Sequence, residues 1–158
     1  MSTKGWAMAS SPSDLKSHAG FWLRYVSNHV SHAFARKLAA RDVTIVEWVL
    51  MRELFDVEAA APSNLADRLG MTRGGITKLV DRLIAKALIT RRDDPVDGRA
   101  RTLALTAKAR RLVPELAKLA DQNDAEFFCN LKQSDREHLL RILKHIVEEH
   151  GLKTIPIS

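Results

Sequence analysis

The chain has 158 residues, of which 46% are hydrophobic, a length and composition that predict one domain with a buried core. No run of 18 apolar residues and no continuous apolar segment after a basic start occurs, so we expect a cytoplasmic protein without a membrane-spanning helix or a secretory signal. The net charge of +6 is concentrated between residues 63 and 111, which hold 12 Lys and Arg against 5 Asp and Glu. Such a local excess of basic residues is typical of phosphate binding and not of an evenly solvated surface.

A long first helix is predicted to begin at Ser11-Pro12 or Ser13-Asp14 and to run to about Ala40. One side of it is an apolar stripe that we expect to face a core: Leu15, Ala19, Leu23, Val26, Val30, Ala33 and Phe34. A second stripe beside it is aromatic and able to form hydrogen bonds: His18, Trp22, Tyr25, His29, His32 and Arg36.

The second stripe has two equally favoured interpretations. It could line a pocket, because aromatic rings stack on a planar ligand while indole, phenol and imidazole groups bind its polar edge; the candidate residues are His18, Trp22, Tyr25 and His29. It could equally form a seam between subunits. A metal site is disfavoured, because the histidines have no nearby Cys or carboxylate at ligand spacing, and no cofactor is predicted.

The second helix is predicted to begin with a capping box formed by Thr44 and Glu47. Its inward residues are expected to be Val46, Val49, Leu50 and Leu54. Trp48 and Met51 lie beside that face, where core packing is favoured over contact with a ligand. Arg52 is a candidate partner for a carboxylate ligand, although a solvated surface arginine is favoured. A brief strand at residues 58–61 is expected to pair with a later hairpin.

Two short helices and a hairpin follow. The first begins at Pro62-Ser63 and ends at Gly70, and Thr72 is predicted to cap the second, whose inward residues are Ile76, Leu79, Val80 and Leu83. Its outward face carries Arg73, Gly74, Thr77, Lys78, Asp81 and Arg82. A basic, hydroxyl-bearing face suits a DNA major groove. Gly74 and Gly75 either allow a close approach of the backbone to DNA or are tolerated at a frayed helix start.

The hairpin is predicted from alternating residues around 88–92 and 102–105, with Asp97-Gly98 as the turn. Arg99 and Arg101 lie just past its tip, where an arginine can reach an adjacent minor groove. Asp97 would repel phosphate, so we expect it to hold Arg99 or the turn.

The C-terminal part is predicted to be helical. Thr106 caps a helix to about Leu131, which Pro114 should bend, and a capping box at residues 134–137 opens a last helix. The apolar residues of that helix, together with Leu152, Ile155 and Ile157, exceed what a small lobe can cover, which predicts dimerisation with the start of the first helix. Cys129, the only cysteine, cannot form an intrachain disulfide, and its apolar neighbours predict a buried, inert thiol.

The run Leu65-Ala66-x-x-Leu69, the segment from Thr72 to Leu83, and Asp97-Gly98-Arg99 followed by Leu105-Thr106 together resemble the MarR family of bacterial transcription regulators. The Asp-x-Arg wing followed by Leu-Thr is the specific part of the match, and the resemblance covers nearly the whole chain. It implies that Arg73, Thr77, Lys78 and Arg82 contact DNA from the recognition helix and Arg99 from the wing. Gly74-Gly75 departs from the Ser/Thr-rich pattern common in that family.

The resemblance implies a mostly α-helical fold, a winged helix-turn-helix with a small β-hairpin wing and a helical dimerisation region. Residues 1–158 would form a single MarR-like domain, with a DNA-binding lobe at 44–106 and dimerisation helices at 11–40 and 107–158. The expected partners are a palindromic operator in double-stranded DNA, a second copy of the chain and a small aromatic effector that releases a repressor from DNA.

Other classes of function remain open in the sequence. No Gly-rich phosphate loop, His-Glu-x-x-His motif or recognisable nucleophile occurs, so an enzyme is not expected. A nucleoid-type structural protein would be basic and dimeric but indifferent to DNA sequence and to effectors. An interaction module whose basic face binds an acidic protein would not bind DNA at all.

Overall fold

The computed structural model describes residues 11–157. These residues form helices α1 (Ala19–Ala39), α2 (Ile45–Phe55), α3 (Pro62–Leu69), α4 (Arg73–Ala85), α5 (Ala107–Phe128) and α6 (Gln133–Glu149), and strands β1 (Ile89–Asp93) and β2 (Arg101–Leu105). The two strands pair antiparallel, from Ile89 opposite Leu105 to Asp93 opposite Arg101. The predicted mostly α-helical winged helix-turn-helix fold is therefore confirmed.

The core lies where α2, α3, α4, the hairpin and the first half of α5 meet. It consists of side chains that the helical and strand periodicities placed inward, among them Leu50, Leu54, Leu65, Leu69, Leu79, Leu83, Leu103 and Leu116. The predicted pairing near residues 58–61 is also present, because Ala60 and Leu103 exchange backbone hydrogen bonds of 2.9 and 2.8 Å. This core fixes the hairpin against α4, and so it positions the candidate site described below.

The predicted helix starts in this lobe are confirmed by hydrogen bonds. The Thr44 hydroxyl accepts a hydrogen bond from the backbone N–H of Glu47, and the Glu47 carboxylate accepts one from the backbone N–H of Thr44. These two hydrogen bonds form a capping box. Thr72 accepts from Gly75 N at 3.0 Å, and Thr106 from Ala109 N at 3.2 Å. Each such cap stabilises a helix by about 1 kcal/mol.

The predicted start of the first helix is wrong. Residues Leu15–Ser17 form one turn of 3-10 helix, and α1 begins only at Ala19. The reason is that His18 adopts an extended conformation, which interrupts the helix between the two segments. The stripe expected to face a core is also largely uncovered: Leu23 and Val26 are exposed, whereas Ala33, closer to the lobe, is buried.

Two predictions about the C-terminal helices are wrong. Helix α6 begins at Gln133 after Lys132, with no side-chain cap, so Ser134 lies inside the first turn and is not the start of a capping box. Cys129 is exposed instead of buried, because α5 ends at Phe128 beyond the reach of the core. Pro114 lies within α5, and the bend expected there stays a prediction.

Helix α6 has no buried residue in the single chain, and its apolar side chains Leu140, Ile142, Ile146 and Val147 are between 40% and 53% exposed.

The segment after α6 folds back onto the core, contrary to the prediction that its apolar residues are left uncovered. Gly151, at φ 56°, turns the chain back, and Ile155 donates its backbone N–H to the carbonyl of Arg68 at 3.1 Å. Ile155 and Ile157 then pack against the core, so of the three residues only Leu152 stays exposed.

Among residues 11–157, no helix combines the length and the apolarity needed to cross a bilayer.

Candidate nucleic-acid interface

Helix α4 presents a basic outer face. The side chains predicted to point outward, Arg73, Thr77, Lys78 and Arg82, are all exposed, while the inward set from Ile76 to Leu83 is buried. The Thr77 hydroxyl donates to the Arg73 carbonyl at 2.8 Å, which leaves its oxygen lone pairs pointing away from the helix as acceptors. Among the described residues, no carboxylate pairs with Arg73 or Lys78. These two cations are therefore available to an anionic ligand.

The two glycines at the start of α4 differ in their surroundings. A Cβ atom added at Gly74 would meet nothing within 4 Å, so this backbone faces open space. A Cβ atom at Gly75 would lie 3.2 Å from Thr72 Oγ1 and 3.4 Å from the Met71 side chain. The missing side chain at Gly75 thus makes room for the capping hydroxyl, whereas the missing side chain at Gly74 leaves the outer face of the first turn flat.

The tip of the hairpin is built by two aspartates. Asp97 Oδ1 accepts from the backbone N–H of Arg99 at 3.0 Å, which is the geometry expected of a residue that supports the turn. Asp94, which the sequence reasoning missed, accepts from Val96 N at 2.8 Å and Asp97 N at 3.2 Å. An Asp that accepts from the N–H two residues later is an Asx turn, and the Asp-Pro pair at this position was a signal for it.

The arginines of the hairpin have different environments. Arg99 is exposed at the tip, and no carboxylate of the described chain pairs with it. The Nε of Arg101 lies 3.7 Å from Asp93 Oδ1 across the strand pair, with both side chains exposed. Arg91 donates to Asp81 on α4 at 2.7 Å. The wing therefore combines an unpaired cation at its tip with paired cations along its strands.

A buried acid lies beneath the C-terminal end of α4. Glu47 is 1% exposed, and its Oε2 accepts from the Lys86 ammonium at 3.0 Å and from Thr44 N at 3.0 Å. Arg82 Nε lies 3.5 Å from Glu47 Oε1. The sequence identified Glu47 only as a capping residue, because its contacts with α4 depend on how the two helices pack.

The residues proposed for an effector pocket are not gathered around one cavity. Trp22 lines an apolar groove of about 390 Å³ between α1 and the C-terminal helices, together with Val26, Val30 and Leu143. Tyr25 and His29, with ring centroids 4.9 Å apart, and His18 lie exposed and outside that lining.

A second cavity, of about 270 Å³, lies between α1, α2 and α5. Trp48 lines it with Phe34, whose ring meets that of Trp48 edge to face at 6.3 Å, and Pro156 from the C-terminal segment covers one side. Met51 is fully buried in the core and does not line it. Arg52 pairs with Asp56 at 2.7 Å and is exposed, so it does not turn inward.

The second cavity has a polar wall that the sequence reasoning missed. Asn123 is 3% exposed; its Nδ2 donates to the Val30 carbonyl at 3.1 Å, and its Oδ1 accepts from Lys37 Nζ at 3.0 Å. Lys37 also binds Glu126 at 2.7 Å, and this hydrogen bond lowers the pKa of the Glu126 carboxyl. Nowhere in residues 11–157 do three or more His, Cys, Asp or Glu side chains gather as metal ligands.

The chain is similar to known proteins in part of its sequence and in its fold. A family model described as MarR family matches residues 41–100, which include α2, α3, α4 and β1. CouR from Rhodococcus jostii RHA1, solved bound to p-coumaroyl-CoA, is 20% identical with a TM-score of 0.77, over 92% of this chain and 99% of that one. BpsR from Bordetella bronchiseptica, described with regulation of its DNA binding by 6-hydroxynicotinic acid, is 22% identical with a TM-score of 0.75, over 86% and 97%.

A mutant of MarR from E. coli, solved with operator DNA, is 22% identical with a TM-score of 0.74, over 85% of this chain and 99% of that one. These solved structures share the winged helix fold with the present chain. The family model covers the basic helix α4 and, of the wing, the first strand and the tip. The predicted resemblance to the MarR family is therefore confirmed, over residues 41–100 by the family model and over most of the chain by the shared fold.

Proposed function

We propose that this protein is a sequence-specific DNA-binding regulator that acts as a homodimer on a palindromic operator. The observation that carries the proposal is the exposed basic face of α4 beside a hairpin whose tip arginine has no carboxylate partner. The proposed contacts are Arg73, Gly74, Thr77, Lys78, Arg82, Arg99 and Arg101, with Asp97 as support for the wing. The MarR mutant of similar fold was solved with operator DNA, which supports this assignment.

The proposed division of the chain has a DNA-binding lobe at residues 44–106 and dimerisation helices at 11–40 and 107–158. Support comes from α6, which buries no residue of its own and exposes apolar side chains. Burying such side chains against a second copy contributes about 25 cal/mol for each Å² removed from water. Two copies of α4 related by a two-fold axis would read half-sites about 10 base pairs apart.

We further propose that the protein is a cytoplasmic repressor, not an enzyme, and that a small aromatic effector with a carboxylate or phenol group releases it from DNA. The cavity at Trp48 and Phe34 and the groove at Trp22 both offer aromatic rings. Two proteins of similar fold were studied with aromatic compounds. The effector must favour one arrangement of the two α4 helices, and a tenfold loss of DNA affinity requires about 1.4 kcal/mol of difference.

Selection from random duplex DNA, followed by footprinting against excess competitor, tests the DNA-binding part. A regulator selects and protects a discrete inverted repeat. Uniform protection without a selected sequence would instead support the nucleoid-type alternative, and the absence of any DNA binding would support the interaction module.

Sedimentation of a Leu140→Glu variant tests the dimer. The charge should make a buried apolar contact unfavourable and shift the protein to a monomer at micromolar concentration, whereas Ser134→Glu, exposed on the same helix, should stay dimeric. A wild-type monomer at that concentration would contradict the proposal.

Titration of aromatic acids, followed by tryptophan fluorescence and by operator binding, tests the effector. Trp22→Leu and Trp48→Leu separate the two sites, because each substitution removes an indole ring from only one of them. If ligands that release DNA from the wild type keep their affinity and effect in both variants, neither cavity is the effector site.

A further inference from the structure

We propose that the buried carboxylate of Glu47 is a positioning residue for the recognition helix, a role that rests on the proposed DNA-binding function. Glu47 does not reach DNA. It acts through Lys86 and Arg82, which it holds at the C-terminal end of α4.

The environment of Glu47 is unusual for a capping residue. A capping-box glutamate ordinarily lies near the surface and needs only the N–H group at the start of its own helix. The Glu47 side chain is 1% exposed and also has two cationic partners, Arg82 within α4 and Lys86 directly after it. Burying a carboxylate is strongly unfavourable unless charged partners and hydrogen bonds compensate, so the position of α4 that provides them is preferred over positions that do not.

The partners of Glu47 are themselves fixed to the surrounding chain. Lys86 Nζ donates to Glu47 Oε2 at 3.0 Å and to the carbonyl of Asp42 at 2.6 Å, so it ties the end of α4 to the loop before α2. The backbone carbonyl of Lys86 accepts from Lys108 Nζ at 3.0 Å, which adds a contact with α5. One end of α4 is thus clamped, while its N-terminal turn, which carries Arg73 and Gly74, is exposed.

Clamping one end of a helix fixes the direction in which the other end points. A recognition helix discriminates between bases only if its side chains meet the base edges in register, and each well-formed contact then favours the correct base. Non-specific phosphate binding tolerates small rotations, because it depends on charge more than on direction. The loss of the Glu47 clamp should therefore lower the preference for the operator over random DNA, and not DNA binding as such.

The test uses Glu47→Gln, which keeps an oxygen acceptor for Thr44 N but removes the negative charge. Dissociation constants are measured for the site that the wild type selects from random duplexes and for a scrambled duplex of equal length. We expect the ratio of the two constants to fall about tenfold, although the variant gains one unit of positive charge. Glu115→Gln is the matched control: it makes the same charge change at an exposed pair with Arg41 and should keep the wild-type ratio.

A charge-neutral double variant, Glu47→Gln with Lys86→Gln, guards against an unfolded single variant, because it leaves no unpaired buried charge. It should show the same loss of preference at unchanged net charge. An unchanged ratio in the folded variants, or an equal fall in Glu115→Gln, would overturn the proposal.

A second measurement needs no DNA. Amide hydrogen exchange at Lys86 and Leu88 should speed up in Glu47→Gln relative to wild type, while exchange in α6 stays the same. Unchanged exchange at these amides would contradict the clamp itself. If exchange changes but the wild type selects no DNA sequence, the clamp stands and the proposed DNA-binding function fails.

Discussion

Arg91 on the first strand of the wing donates to Asp81 Oδ1 on the recognition helix at 2.7 Å. Both side chains are about half exposed, so the pair contributes little to stability. It does, however, hold one cation of the wing on the face that is proposed to meet DNA. In the proposed complex with DNA, the carboxylate of Asp81 and the phosphate backbone would therefore compete for Arg91.

We expect Asp81→Asn to strengthen binding to random duplex DNA and to make it more dependent on salt. The released Arg91 could neutralise one more phosphate, which adds about one unit to the slope of log affinity against log salt. Measurement over a series of salt concentrations checks this. Asp121→Asn, an exposed position on α5, makes the same charge change and should leave the slope as in the wild type.

Arg99→Ala should weaken operator binding without unfolding the protein, because Arg99 is exposed and its turn is held by its backbone N–H, which alanine retains. The expected loss is about 1–3 kcal/mol if the side chain enters a minor groove or binds phosphate. Lys118→Ala removes the same charge from an exposed position on α5 and should have a smaller effect. Equal affinities of the folded Arg99→Ala variant and the wild type across a salt titration would exclude the wing from binding.

Ala87→Gly should stabilise the protein. Ala87, between α4 and β1, has φ 56°, a left-handed conformation that costs an alanine about 1–2 kcal/mol and a glycine almost nothing. The greater freedom of glycine in the unfolded chain offsets about 0.4–1 kcal/mol, which leaves a gain of roughly 0.5 kcal/mol. Ala85→Gly, at the last helical residue of α4, should have the opposite sign. Urea unfolding of both variants would show this, and a destabilised Ala87→Gly would contradict it.

The pKa of Glu126 offers a test of the polar wall beside the second cavity. The hydrogen bond from Lys37 lowers the pKa of Glu126 in the folded protein. The pair therefore stabilises the fold at pH values above the pKa that Glu126 has in the unfolded chain. This stability is lost as the pH falls through the pKa that Glu126 has in the folded protein. In Lys37→Met we expect the pKa to rise towards its ordinary value. An NMR titration of the Glu126 carboxyl measures it, with Lys118→Met as the control in which the lowered pKa should persist.

The parts of the fold that follow local rules were predicted from the sequence. Thr44, Thr72 and Thr106 mark helix starts because a hydroxyl bonds an N–H three residues later, a relation that depends on sequence distance alone. The same reasoning failed at Ser134, where the capping-box spacing is present but the helix had already begun at Gln133. A local pattern indicates where a helix can begin, and neighbouring residues decide where it does.

Only the exposed residues of the candidate site could be predicted from the sequence. Arg73, Lys78 and Arg99 could be placed because periodicity and turn residues determine which way a side chain points. Glu47 and Asn123 could not, because their partners lie on other helices, 39 residues away for Lys86 and 86 residues away for Lys37. The two stripes on the first helix show the same limit: periodicity grouped His18, Trp22, Tyr25 and His29, but the packing of α5 and α6 decided that only Trp22 lines a groove.

The hydrogen bond between Ile155 and the Arg68 carbonyl joins two residues separated by more than half of the chain. Closing a loop of that size costs more conformational entropy than closing the short loops within the helices and the hairpin, whose contacts are local. The DNA-binding lobe proposed at residues 44–106 can therefore assemble first, and the C-terminal segment can dock onto it as one of the last steps of folding. The reverse step, release of this segment from α3, would then be among the first openings of the native protein, and it would uncover the side of the Trp48 cavity that Pro156 closes.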